Sequence, residues 1–207
     1  MSGPHPTAKL SEIAWLNPLL DAKLDANAQV AFVPMAAVSA TTAAVETVLA
    51  RPYSEVSKGY TAFKDGDVLL AKITPCFENG KIAQAQLPLP YGFGSTEFHV
   101  VRPRVAMADA RYLLHYLRQE NVRTNGTRRM TGSGGQRRVP ASFLSELQVP
   151  LPPLAEQRRI GAILDQAEAL RAQRRAAIAQ LDSLGRRFFW RCLAARARRV
   201  LNGRRAP

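Results

Sequence analysis

The chain has 207 residues, 46% of them hydrophobic, and a formal charge of +13 from 29 basic and 16 acidic residues. That is enough apolar content for one domain with an appendage or two small domains, and too much for overall disorder. No apolar run approaches the ~20 uncharged residues of a membrane span, and the opening MSGPHPTAKL lacks a signal peptide's apolar segment, so a cytoplasmic address and no membrane partner are expected.

LSEIAWLNP opens as a short amphipathic piece, and VAFVPMAAV is strand-like up to Pro34. TTAAVETVLARP predicts a short helix or turn stopped by Pro52. From Tyr53 the texture is β. YTAF leads into a turn at Asp65-Gly66 and then DVLLAKI, an apolar run bounded by turn signals. TPCFENG reads as a loop, KIAQAQL alternates as a half-buried strand does, GFGS reads as another turn, and TEFHVVRP alternates again up to Pro103. Asp109 can cap a helix whose Ala110, Leu113, Leu114 and Leu117 share one face, with an end near Asn125-Gly126. TRRMTGSGGQRRVP fits neither helix nor strand; it predicts a flexible basic loop, after which FLSELQVPLPPL returns to the core.

The last segment predicts one long helix, with Pro153 in its first turn and Glu156 near its positive end. Its apolar residues repeat every seven. One row is Ile160, Ala167, Arg174, Leu181 and Phe188, the other Ile163, Leu170, Ala177 and Leu184, with Leu164 and Ile178 widening the stripe. Four heptads argue for a helix–helix seam rather than packing on a single domain. Helix over 156–196 would be about 60 Å long, more than a domain of this size covers. A frayed tail is expected beyond Ala194. The division expected is a domain over 1–150 and a helix with basic tail over 151–207.

The charge is uneven. Residues 155–207 hold 13 arginines against 4 acids, a net of +9, and residues 1–154 hold 16 basic against 12 acidic residues, a net of +4. Such a balance attracts polyanions, whether membrane surface, RNA or DNA; a solvated helix face is the plainer explanation of the arginines.

No pattern of residues supports an enzyme. Cys76, Cys192 and three histidines stand at spacings that suit neither a disulfide framework nor a zinc site, so reduced thiols and no metal or cofactor are expected. Glu78 and Lys81 are one residue too far apart for the acid-x-Lys pattern of metal-dependent nucleases, and Asp65 and Asp67 are explained by the turn they flank. There is no methyl-donor glycine loop, methyltransferase signature or P-loop, and TGSGG lacks the Gly-x-Ser-x-Gly spacing.

Four stretches together carry a family resemblance: GYTAFKDGDVLLAKITPCFENGK (59–81), GFGSTEFHVVRP (92–103), MTGSGGQRRVP (130–140) and LPLPPLAEQRRIGAILDQAEALRAQRRAAIAQLDSL (149–184). In their order, and with FVPMAAVS (32–39) as a weaker fifth, the chain resembles one half of the specificity subunit of type I restriction–modification systems. The resemblance implies an α+β fold: a mixed, β-rich target-recognition domain followed by a long C-terminal helix that pairs as an antiparallel coiled coil. It implies a sequence-specific DNA-binding subunit without catalysis of its own. The partners implied are double-stranded DNA and adenine methyltransferase (modification) subunits, which a restriction subunit can join. With one recognition domain and one helix, a second copy is the simplest mate, giving a homodimer that reads a symmetric bipartite site; a different half-subunit is the other. A stand-alone DNA- or RNA-binding module, a repressor or decoy without a methyltransferase, is the competing function.

For DNA contact the candidates are Arg128, Arg129, Arg137 and Arg138 for charge and Thr131, Ser133 and Gln136 for hydrogen bonds. A second group is Lys72, Thr74, Asn79 and Lys81, in a segment that serves equally as a structural hairpin turning at Asn79-Gly80. For dimerisation they are Ile160, Ile163, Leu164, Leu170, Ile178, Leu181, Leu184 and Phe188.

Overall fold

A computed structural model describes the backbone of residues 5–203, with the side chains of residues 187, 188 and 190–203 outside the description. The chain divides into two compact units, residues 1–164 and 165–207.

The first unit is built on two four-stranded sheets. One has the order β2 (Ala14–Leu16), β9 (Phe98–Pro103), β6 (Val68–Ala71), β7 (Ile82–Gln84), all antiparallel. The other has the order β4 (Leu49–Pro52), β3 (Gln29–Val33), β8 (Tyr91–Gly94), β5 (Thr61–Lys64), with β3 and β8 parallel. A third pairing joins the two ends of the domain: β1 (Thr7–Lys9) runs antiparallel to β10 (Gln148–Pro150).

Strand β6 explains the layering. All four of its residues are buried, so it reads as an apolar run with no polar face. Leu69 packs with Val33, Phe63, Ala83, Phe98 and Val100, joining the two sheets. Its neighbours Val68 and Leu70 point to the other side, as strand geometry requires, and meet Ile82, Val101 and a helical layer. That layer is α3 (Ala110–Leu117), α4 (Glu120–Arg128) and α5 (Ala141–Ser145), which contribute Leu113, Leu114, Leu117, Val122, Phe143 and Leu144. Each fully buried leucine of this kind contributes roughly 1.5–3 kcal/mol relative to exposure. Asp67 is 2% exposed and is matched there by Arg102, Nε to Oδ1 at 2.9 Å and Nη2 to Oδ2 at 2.8 Å, while its Oδ2 also takes the Lys64 N–H at 2.8 Å.

Several expectations need correcting. GFG, residues 92–94, lies in strand β8 rather than in a turn. Its glycines serve packing: a Cβ on Gly92 would overlap the Phe63 ring, and one on Gly94 would overlap the Val33 carbonyl. TTAAVETVLARP is not helical; it ends in edge strand β4, where Arg51 lies 4.3 Å from the centre of the Phe32 ring, and Pro52 closes the strand. LSEIAWLNP is split into the one-turn α1 (Leu10–Ile13) and β2. The Asp109 helix is two helices. Asp109 caps α3 through Oδ1, which accepts from Arg111 N and Tyr112 N at 3.0 Å each, but the chain turns extended at Gln119. The new direction lets Gly126 of α4 lie on the Phe77 ring.

The last helix, α6 (Leu154–Gly203), is 50 residues long and runs past Ala194, where fraying was expected; residues 204–207 lie outside the description. Pro153 precedes it, and its carbonyl takes the Gln157 N–H at 3.0 Å. The first turns belong to the first unit. Gln157 is 1% exposed there, and its side chain makes three hydrogen bonds: Nε2 to the Met107 and Pro152 carbonyls at 3.0 and 2.9 Å, and Oε1 from Asp109 N at 3.0 Å. Ile160 packs on the domain core, and Gly161 is buried beside Arg111 and Tyr112. In the second unit, every described side chain from Ala169 onward is exposed.

Candidate nucleic-acid interface

The two candidate DNA-contact segments meet. The stretch 131–138 is a hairpin rather than a free loop. Thr131 N donates to Arg138 O at 3.0 Å and Arg138 N to Thr131 O at 2.8 Å, closing the turn 132–137. Gly132 carries φ +131°, and a Cβ there would lie 2.5 Å from Gln136 O, so the turn needs glycine at this position. Residues 131–137 are all exposed, which leaves Thr131, Ser133 and Gln136 open to a ligand.

The base of the hairpin is bonded to the start of the 72–81 loop. Val139 N donates to Lys72 O at 2.8 Å and Thr74 N to Arg137 O at 2.9 Å, while Ile73 bridges Arg138. Thr74 Oγ1 lies 3.2 Å from Arg137 O and 3.1 Å from Glu78 Oε1. Lys72, Thr74, Thr131, Ser133, Gln136, Arg137 and Arg138 therefore form one basic surface element. Arg128 and Arg129 adjoin it at the end of α4, both exposed, with Arg129 5.9 Å from the centre of the Phe143 ring.

Asn79 and Lys81 are not drawn in. The Lys81 ammonium donates to Met35 O at 3.0 Å, and Asn79 is exposed in a loop held by Arg123 Nη1, which donates to Glu78 O at 2.8 Å. Antiparallel β6 and β7 flank the 72–81 segment, so it is the long connection of a hairpin, whose last turn, Gly80 N to Phe77 O at 2.8 Å, falls at Asn79-Gly80.

The cations differ in freedom. Arg137 Nη2 donates to the Thr127 and Met130 carbonyls at 3.2 Å each, capping the negative end of α4. Arg138 is held by Glu97, Nη2 to Oε1 at 2.8 Å and Nε to Oε2 at 3.0 Å. The hydrogen bond from Arg138 holds the Glu97 carboxyl below the usual carboxylate range.

His99 completes the support. It is 5% exposed, its Nε2 lies 2.8 Å from Val139 O, and its Nδ1 lies 3.2 Å from Asn17 Nδ2. A carbonyl only accepts, so Nε2 carries the hydrogen and Nδ1 accepts from Asn17. Burial holds the imidazole below its usual pKa, against the raising effect of the Val139 carbonyl. The sequence marks neither Glu97 nor Asn17, and it gives His99 no part in DNA contact. They lie 41, 40 and 82 positions from their partners, and nothing local marks them.

In the helix, Ile163, Leu164, Leu170, Ile178, Leu181 and Leu184 are 38–67% exposed, unlike Ile160, and the Phe188 side chain lies outside the description. Among the described residues there is no cluster of three or more His, Cys, Asp or Glu that could hold a metal, and no helix long and apolar enough to cross a membrane.

Comparison with known proteins gives this surface its context. The chain is 42% identical over 152 residues to the Type I restriction enzyme EcoEI specificity subunit of Escherichia coli, and 41% identical over 152 residues to the EcoAI specificity subunit of the same organism. Each match covers 73% of this chain, which spans about a quarter (25% and 26%) of those relatives' length. A crystal structure of the HsdS subunit from Thermoanaerobacter tengcongensis superposes with a TM-score of 0.69 at 25% identity, covering 88% of this chain and 47% of that one. The expected α+β architecture with its long final helix is thus shared with a solved specificity subunit. The family model for the type I restriction modification DNA specificity domain matches residues 8–180, and the chain belongs to that family.

Proposed function

We propose that this chain recognises a DNA half-site through the 131–138 hairpin and the adjoining residues Lys72 and Thr74, and brings that sequence to a methyltransferase without performing chemistry itself. The observation that carries the reading is the hairpin, a run of exposed hydrogen-bonding and cationic side chains on a base held by hydrogen bonds to two other segments. Exposed Thr131, Ser133 and Gln136 suit base edges, and Arg128, Arg129 and Arg137 suit phosphates. Recognition is the work of the domain over 1–150, spacing that of the helix over 151–207.

The heptad stripe supports pairing. Six large apolar side chains exposed on one repeat are a surface that water disfavours and a second helix covers. A second copy, antiparallel, gives a two-fold dimer that reads a symmetric interrupted site, with modification subunits on its outer faces and a restriction subunit as a further member.

Two measurements test this. Gln136→Ala should cost roughly 1–3 kcal/mol of binding to a preferred duplex, and Arg137→Ala should weaken binding to preferred and unrelated duplexes alike; unchanged affinity and footprint in both would remove the hairpin from the account. Leu170→Asp with Leu181→Asp should turn a dimer into a monomer in sedimentation while the domain stays folded. A parent chain that is already monomeric at micromolar concentration, or binds DNA while no adenine methyltransferase co-purifies, refutes the assembly and favours a stand-alone binder.

A further inference from the structure

The sequence gives Glu97 no role, yet in the structure this residue grips both segments of the proposed interface. Its carboxylate takes the Nε and Nη2 edge of Arg138, and its carbonyl takes the Lys72 N–H at 2.8 Å. The pair is not buried away. The Arg138 side chain is 41% exposed and the Glu97 side chain 23%. A carboxylate at that place opposes DNA binding by charge alone, because it repels phosphates. Its contribution to binding must therefore be geometric.

A guanidinium has two edges able to form paired hydrogen bonds. With Nε and one Nη2 hydrogen committed to Glu97, the plane is set. The other edge, Nη1 with the second Nη2 hydrogen, remains, and Nη1 has only a 3.5 Å contact to Gln136 O. That edge matches the O6 and N7 acceptors of guanine. We infer that Glu97 is a positioning residue for sequence discrimination: it fixes the plane of Arg138 so that the open edge reads a guanine. The inference rests on the reading of the hairpin as a DNA-recognition surface and adds the residue that orients its reader.

Charge and geometry have opposite signs here, which makes the test sharp. The parent chain, residues 1–207, is used to enrich duplexes from a random pool, and Glu97→Gln is then compared with it on the enriched duplex and on an unrelated duplex of equal length. Loss of a repelling charge should leave binding to the unrelated duplex equal or tighter. Loss of the guanidinium clamp should weaken binding to the enriched duplex, so that the ratio of the two affinities falls roughly tenfold, concentrated at one G·C pair. Glu97→Asp, which keeps the charge but shortens the reach, should give an intermediate ratio, and it carries the test if Glu97→Gln does not fold. An unchanged ratio overturns the inference, as does an equal loss on both duplexes, the signature of a merely structural role. A parent chain that enriches no sequence overturns the recognition reading itself, and that result is read before any variant is made.

Discussion

Replacing Gln157 by methionine tests the seat of the long helix. The substitution keeps the side-chain length and removes the amide. Three hydrogen bonds go with it, leaving the Met107 and Pro152 carbonyls and the Asp109 N–H without that partner at a position 1% exposed. At about 1 kcal/mol net for each bond, the loss is about 3 kcal/mol, with more for any group that water cannot reach. The thioether offsets on the order of 1 kcal/mol by apolar burial. The expected destabilisation is about 2–4 kcal/mol, or roughly 5–15 °C in the melting midpoint of a domain of this size. Near-UV circular dichroism is the assay, because it follows the packed domain, whereas the far-UV signal is dominated by α6. A midpoint within about 2 °C of the parent would refute the argument that the amide holds loop, proline turn and helix together.

Gly126→Ala should destabilise the domain by up to about 2 kcal/mol in urea. Helix propensity favours alanine by about 1 kcal/mol, but the new Cβ would lie 2.5 Å from the Phe77 ring, and overpacking costs about 1–3 kcal/mol; a stabilised variant would mean that the ring moves freely. His99 should make stability depend on pH. Its folded pKa lies below the ordinary 6.5, so its contribution is complete above about pH 6.5 and is lost as the pH falls toward the lowered value, when a second ring proton faces the Asn17 amide beside Lys72 and Glu97. The drop in melting midpoint between pH 7 and 5.5 should be smaller in His99→Gln, and an equal drop would count against this histidine.

Much of the fold was legible because the residues that make it are close together. The β6 apolar run, the Asp109 cap and the heptads of α6 are local patterns with direct physical causes. The errors came where tertiary contacts overrule local preference. Gly92 and Gly94 have the composition of a turn, but they are glycines because Phe63 and the Val33 carbonyl leave no room for more. The split of α3 from α4 sets Gly126 against the Phe77 ring, a contact between residues far apart in sequence. In the candidate site, the type of residue at the hairpin was legible and its support was not. In the sequence Arg138 reads as a free cation; the fold sets Glu97 across from it, and no spacing rule joins the two. Lys81 looked equally free, and its ammonium is taken by the Met35 carbonyl.

The pairing of β1 with β10 has a consequence for synthesis. Strand β1 leaves the ribosome ahead of the rest of this domain and must wait for a partner about 140 residues behind it, roughly 7–30 s of translation at typical rates. The domain therefore forms this strand pair only when β10 has emerged, directly ahead of α6. The first turns of that helix, with Gln157 and Ile160, are the last pieces of the body to arrive, and the exposed leucines beyond them follow.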